Sequence, residues 1–258
     1  MEMKKTAILA MAAALAASAW AVQGTVKSET DSKTGDIKWQ PRSKSYLVSF
    51  KKGATAVSSE FPLDSVVKID VEKPANFDKL VDLVSKGQGQ SAVEGLKAIV
   101  ATYKMIVWDK PAARWLVQAY LDAGKAQQAY DTAQDLIKDD KTAAYAGELA
   151  PAYWQALLKL GKKQPLENCL RLAASSDDRA ASAEALAMRG DIIVADGGDS
   201  PDSYRKALVD AYLRVALMYT DPACREARRG AMLKCAMCFD KLGMGVRAER
   251  MKASAKEL

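Results

Sequence analysis

The chain has 258 residues, 49% of them apolar and 27% charged, with 38 Lys and Arg against 32 Asp and Glu. That composition excludes wholesale disorder and leaves room for one large domain or two smaller ones. Histidine is absent, which excludes Ser-His-Asp and Cys-His nucleophiles and imidazole metal ligation.

The first segment, MEMKKTAILAMAAALAASAWAVQG, carries Lys4 and Lys5, then an apolar run from Thr6 to Ala17. Small residues follow in Ala-x-Ala form, at Ala17-Ser18-Ala19 or Ala19-Trp20-Ala21. This is the layout of a secretory signal peptide. The run is shorter than the roughly 20 residues a membrane span needs. Residues 1–21 are expected to be a signal peptide cleaved after Ala21, leaving a mature chain without a transmembrane segment. Its expected location is across the inner membrane, in the periplasm, where a disulfide is chemically permissible. No cysteine stands at the cleavage point, which argues against a lipoprotein.

Residues 22–74 have strand character. Ile37 and Trp39 alternate with polar neighbours, as do Tyr46, Val48 and Phe50, and then Val67, Ile69 and Val71. SKTG and KKGATA supply turn chemistry between them. Four or five short strands in so small a span predict a small antiparallel β barrel. The closing FPLDSVVKIDV, a short turn and then a strand, resembles the end of SH3-like barrels. That resemblance implies an aromatic-lined peptide groove, for which Trp39 and Tyr46 are the candidates. The competing expectation is that both rings fill the core of a very small domain.

After Pro74 the periodicity changes to 3.6 residues. Glycines recur in short turn segments at Gly87, Gly124, Gly161 and Gly197, at intervals of 37, 37 and 36 residues, and Gly243 follows after 46. Each stands between two helix-length stretches, which predicts about five helical hairpins in residues 75–258. In ARWLVQAYLDAGKAQQAYDTAQDL, the residues Leu116, Tyr120, Gly124, Ala129, Ala133 and Leu136 alternate large and small. Ala236, Phe239, Gly243, Ala248 and Ala255 do the same in the last unit. On these residues the stretch from Asn76 to Leu258 resembles the tetratricopeptide repeat family. Small residues let paired helices approach, and large ones fill the groove to the next pair. The stretch with Tyr212, Tyr219, Asp221-Pro222, Ala227 and Leu242-Gly243 also resembles the repeats of periplasmic envelope-assembly proteins.

The resemblance implies a mainly α fold, an α-α superhelix after the small β barrel, with protein partners docking on its inner face. By family position, Arg114, Gln118, Asp122, Gln155, Lys159, Lys234 and Met237 would point there. The function expected is an exported protein-binding adaptor or scaffold of the cell envelope, with no catalytic residues. Two other classes stay open: a cell-wall glycan binder or carboxylate-dependent envelope enzyme, and a structural, oligomerising envelope component.

The remaining motifs have quieter readings. Cys235 and Cys238 form a Cys-x-x-Cys, but deep inside a helix with no strand before it, where a thiolate gains little. With Cys169 and Cys224 they make one close pair only, short of a zinc site. Core packing is expected of them, with a disulfide as the alternative. The carboxylate pairs Asp139-Asp140 and Asp177-Asp178 read as linkers and caps at helix ends. Asp196 to Asp202 lacks the ligand spacing of a calcium loop, and Asp199-Ser200-Pro201 reads as a helix cap. No metal or cofactor is expected. From Pro201 onward, twelve Lys and Arg face seven Asp and Glu, interleaved as on a solvated helix face, so no nucleic-acid partner is expected.

Overall fold

In a computed structural model, residues 22–53 and 55–258 are described; the signal-peptide expectation for residues 1–21 lies outside them. Five strands come first: β1 (Val22–Ser28), β2 (Ser32–Gln40), β3 (Ser45–Lys52), β4 (Thr55–Pro62) and β5 (Val66–Val71). They form one antiparallel sheet in the order β4-β3-β2-β1-β5. The period-2 pattern explains its buried face: Val22, Val26, Ile37, Trp39, Tyr46, Val48 and Phe61 share one core.

The sheet is open, which corrects the expected barrel: β4 and β5 are its two edges and do not pair with each other. The physical reason lies downstream. Tyr103, Met105 and Ile106, between two later helices, pack onto the sheet's apolar face. A face covered from outside does not need to close on itself. Tyr46 donates its hydroxyl hydrogen to the Met105 carbonyl at 2.7 Å. Val67 is a second difference. A register shift between Lys27 and Ser28 moves Val66 onto the core with Ile69 and Val71, and Val67 is left 68% exposed.

The helices are α1 (Phe77–Ser85), α2 (Gly89–Thr102), α3 (Asp109–Asp122), α4 (Ala126–Ile137), α5 (Leu149–Lys159), α6 (Lys163–Ala174), α7 (Arg179–Asp196), α8 (Pro201–Ala207), α9 (Leu213–Met218), α10 (Arg225–Lys241) and α11 (Gly245–Glu257). A π turn, Leu208–Tyr212, joins α8 to α9 into one continuous run. In chain order this gives five helix pairs, α1/α2, α3/α4, α5/α6, α7/α8–α9 and α10/α11. Gly87, Gly124, Gly161 and Gly243 hold φ of 75°, 71°, 65° and 73° in four of the turns, a left-handed conformation that glycine adopts without strain. In the remaining turn Gly198 takes that role at φ 61°. Gly197 is needed there for space, because a Cβ on it would lie 2.3 Å from Ser203 Cβ.

Side-chain caps start two helices as the sequence reading had them. Asp178 accepts from the Ala180 and Ala181 N–H groups at 2.9 and 3.0 Å, and Ser200 accepts from Ser203 N–H at 3.2 Å with Pro201 next to it. Asp221 does not cap with its side chain; its carboxylate accepts from Arg179 Nε at 2.8 Å instead.

Compactness divides the chain between Ala119 and Tyr120. The first unit holds the sheet and helices α1 to most of α3. There Asp109 is 2% exposed and accepts from the Met105 and Lys110 N–H groups at 2.7 and 2.8 Å. It thereby holds Met105, whose φ is 59°, in the loop that covers the sheet. The second unit, from Tyr120, holds α4 to α11. Among the described residues no helix is long and apolar enough to cross a membrane.

Candidate binding face

In the second unit, the first helices of three successive pairs are neighbours: α5 lies against α7, and α7 against α10. Asp191, in the middle of α7, ties them together. Its Oδ2 accepts from Gln155 Nε2 of α5 at 3.0 Å and from Lys234 Nζ of α10 at 2.6 Å. Its Oδ1 accepts from the Tyr212 hydroxyl at 2.7 Å. The Asp191 side chain is 15% exposed and that of Lys234 33%, so the cluster sits at a wetted surface. Lys234 Nζ also stands 5.6 Å from the centroid of the Tyr212 ring, within cation–π range.

The local sequence makes this possible. Gly190 precedes Asp191, and a Cβ there would lie 2.4 Å from Tyr212 Cε1. Its absence lets the tyrosine ring, 1% exposed, reach Asp191 across the helix. Burial, then the adjacent Asp191 carboxylate, push the Tyr212 phenol far above its ordinary value. It is a fixed donor at any pH the protein would meet.

The cluster joins two of the residues read from sequence, Gln155 and Lys234, through a third that the sequence reading missed. Asp191 could have been found. Gln118, Gln155, Asp191 and Met237 each stand six residues before one of the regularly spaced glycines, Gly124, Gly161, Gly197 and Gly243, so all four occupy one repeat position. Met237 is 41% exposed and Leu233, one helical turn before it, 49%. Both lie on α10 next to Lys234. Lys159 is exposed at the last turn of α5, outside the Asp191 cluster. Arg114 and Gln118 belong to the other compact unit, where the Arg114 guanidinium lies 5.4 Å from the Trp115 ring centroid. Asp122 is exposed at the end of α3.

Trp39 and Tyr46 do not line a groove. They are 8% and 3% exposed in the sheet's core, with ring centroids 5.0 Å apart. The sheet has few large residues, and it spends both rings on its buried face.

The four cysteines are free and buried. Cys235 and Cys238 pack among Tyr212, Met232 and Phe239. Burial pushes the Cys235 thiol up to about 12. Burial, then the Asp191 carboxylate, push Cys238 up to about 11. Both stay protonated near neutrality and are poor nucleophiles. Among the described residues no group of three or more Cys, Asp or Glu could hold a metal ion.

No protein-family model matches the chain, and no curated protein matches it. One solved structure similar to it is a crystal structure of a variant protein from Podosopora anserina, described as a kinesin light chain with nearly identical TPR-like repeats. The two share 14% sequence identity and superpose with a TM-score of 0.40, over 71% of this chain and 92% of that one.

Proposed function

We propose that the chain is a protein-binding scaffold of tetratricopeptide-repeat type, exported to the cell envelope, with no reaction of its own. One observation carries the reading. A single repeat position supplies Gln155, Asp191 and Met237 on three first helices, and α5, α7 and α10 lie side by side at that level. Packing residues hold the helices from within, and a mixed surface of Gln155, Lys234, Leu233 and Met237 is left to solvent. Half-wetted polar groups beside exposed leucine and methionine are the composition of a docking face.

The test is a photo-crosslinking residue placed at Met237 in cells, with a second placed at Arg250 on α11 as the comparison. A discrete adduct with a protein partner is expected from position 237 and not from 250. No adduct at 237, or the same adducts at both, would remove the docking face. Export has its own test. The mature protein is expected in the osmotic-shock fraction with Val22 at its N-terminus, and an intact Lys4–Ala21 segment on protein in the cytoplasmic fraction would count against it. Turnover of a cell-wall or glycan substrate by the purified protein would overturn the non-catalytic reading.

A further inference from the structure

The open sheet carries a second surface, in the other compact unit. Among the described residues β4 is hydrogen-bonded to β3 alone and β5 to β1 alone. Each therefore keeps an outer row of backbone N–H and C=O groups with no strand beside it among the described residues. The Leu63–Ser65 turn joins the two edges, and a cleft of about 580 Å³ opens beside it. The Ser59–Pro62 end of β4, the turn between β1 and β2, and Val67 of β5 line this cleft.

Its chemistry runs against that of the whole chain. The protein carries a net charge of +6, yet Glu29, Asp31, Glu60 and Asp64 line the cleft and no lysine or arginine does. Asp31 is paired with Lys33 at 2.6 Å, and Glu60 accepts from the Ser45 hydroxyl. Glu29 and Asp64 have no cationic partner among the described residues. Phe61 also borders the cleft, but its ring is turned into the sheet's core and is 4% exposed. Val67 holds 68% of its surface in water, turned outward as the extra β5 residue where the β1–β5 register shifts between Lys27 and Ser28.

These carboxylates do not converge as a metal shell, since no such group exists among the described residues. They come from three places around the cleft, Glu29 and Asp31 from the β1–β2 turn, Glu60 from β4 and Asp64 from the Leu63–Ser65 turn, which suits several separated positive charges on one chain. An extended peptide places same-side side chains about 6–7 Å apart and can complete an exposed edge with main-chain hydrogen bonds.

We propose that this cleft binds an extended, lysine- or arginine-bearing segment of a partner protein. The segment adds as a strand to the β4 edge, sets its cations among Glu29, Glu60 and Asp64, and rests an apolar side chain on the exposed Val67. Pro62 has no N–H to donate, so pairing stops at that end of β4.

The experiment uses the full chain and a fluorescein-labelled (Lys-Val)5 peptide, read by fluorescence anisotropy. Two further probes are (Glu-Val)5 and a (Lys-Val)5 peptide N-methylated at alternate residues, which keeps the charge and removes donors. Binding is expected for the lysine peptide alone. It should weaken about tenfold in E29Q/D64N and further in E29Q/E60Q/D64N, and it should weaken with added salt. Glu29 and Asp64 make no ion pair among the described residues, so the double variant tests the site without disturbing the fold, which far-UV circular dichroism checks. Absence of lysine-peptide binding overturns the proposal, as does undiminished binding by E29Q/D64N. Equal binding of the N-methylated peptide would also overturn it, since the peptide would then be adsorbing to charge and not adding to β4. M237K leaves this binding unchanged, so failure of the helical docking face and failure of this cleft are read separately.

Discussion

Replacing Asp191 with alanine tests whether the cluster holds three helices together or decorates them. The three donors it serves fare differently when the carboxylate goes. Lys234 is a third exposed and Gln155 is half-buried, so both can turn to water, and losing their bonds costs under about 1 kcal/mol each. Tyr212 is 1% exposed and cannot. Its hydroxyl loses a bond to a charged acceptor and is left buried without a partner, at about 1–3 kcal/mol. The expected loss for Asp191→Ala is therefore about 2–4 kcal/mol, most of it through Tyr212. Urea unfolding followed by far-UV circular dichroism measures it, with Tyr212→Phe and the double variant completing a cycle. The hydroxyl is absent in Tyr212→Phe, so the second substitution should cost less there, with a coupling of about 1–2 kcal/mol. A loss below about 0.5 kcal/mol for Asp191→Ala, or additive single variants, would refute the reasoning.

Gly190→Ala forces a methyl against the Tyr212 ring, where the nearest ring atom would lie 2.4 Å away; overpacking of about 1–3 kcal/mol is expected, and an unchanged melting temperature would contradict it. Burial raises the Asp109 pKa from 3.8 to about 6 against the pull of the Met105 N–H and Lys110, so the folded state favours the neutral acid. Its contribution is fully present below pH 3.8 and is lost as pH rises through about 6, with a total of about 3 kcal/mol. Asp109→Asn keeps an acceptor oxygen and should flatten the change in stability between pH 4.5 and 7 (approximate limits); an unaltered slope would show that another group titrates there. The four buried cysteines should resist iodoacetamide in the native protein, and the denatured, unreduced chain should yield four thiols. A lower count would reveal a disulfide.

What the sequence shows well is what repeats locally. The glycine interval marks the helix pairs, and the alternation of large and small residues marks their packing. Asp178 and Ser200 cap helices because capping needs only residues two or three positions ahead. What stays hidden depends on distant partners. Asp221 beside Pro222 has good capping chemistry, but Arg179, 42 residues earlier, takes its carboxylate. The sheet stays open because Tyr103, Met105 and Ile106 cover it, and no pattern within residues 22–74 announces a cover supplied by a loop after two helices. Val67 alternates correctly with Ile69, yet the register shift at Lys27 and Ser28 turns it out. The 46-residue glycine interval has its cause in the π turn and the long helical run around it, from Pro201 to Met218.

The geometry at Asp191 also divides the work on the helical face. Its two oxygens already receive three donors, so little acceptor capacity remains for a partner. In the proposed docking role, its effect on a partner would pass through Lys234, which it holds over the Tyr212 ring and so fixes on the surface of α10. Leu233 and Met237 flank that lysine with nearly half their surface in water. Apolar area of this kind supplies affinity when covered, and a lysine held in place supplies orientation at little further entropic cost. Met237→Ala should therefore weaken partner capture while leaving stability nearly unchanged. Asp191→Asn should act in the opposite proportion, loosening the helices first and the partner only as a consequence. Equal loss of capture from both, at equal stability, would mean that the partner contacts the carboxylate itself.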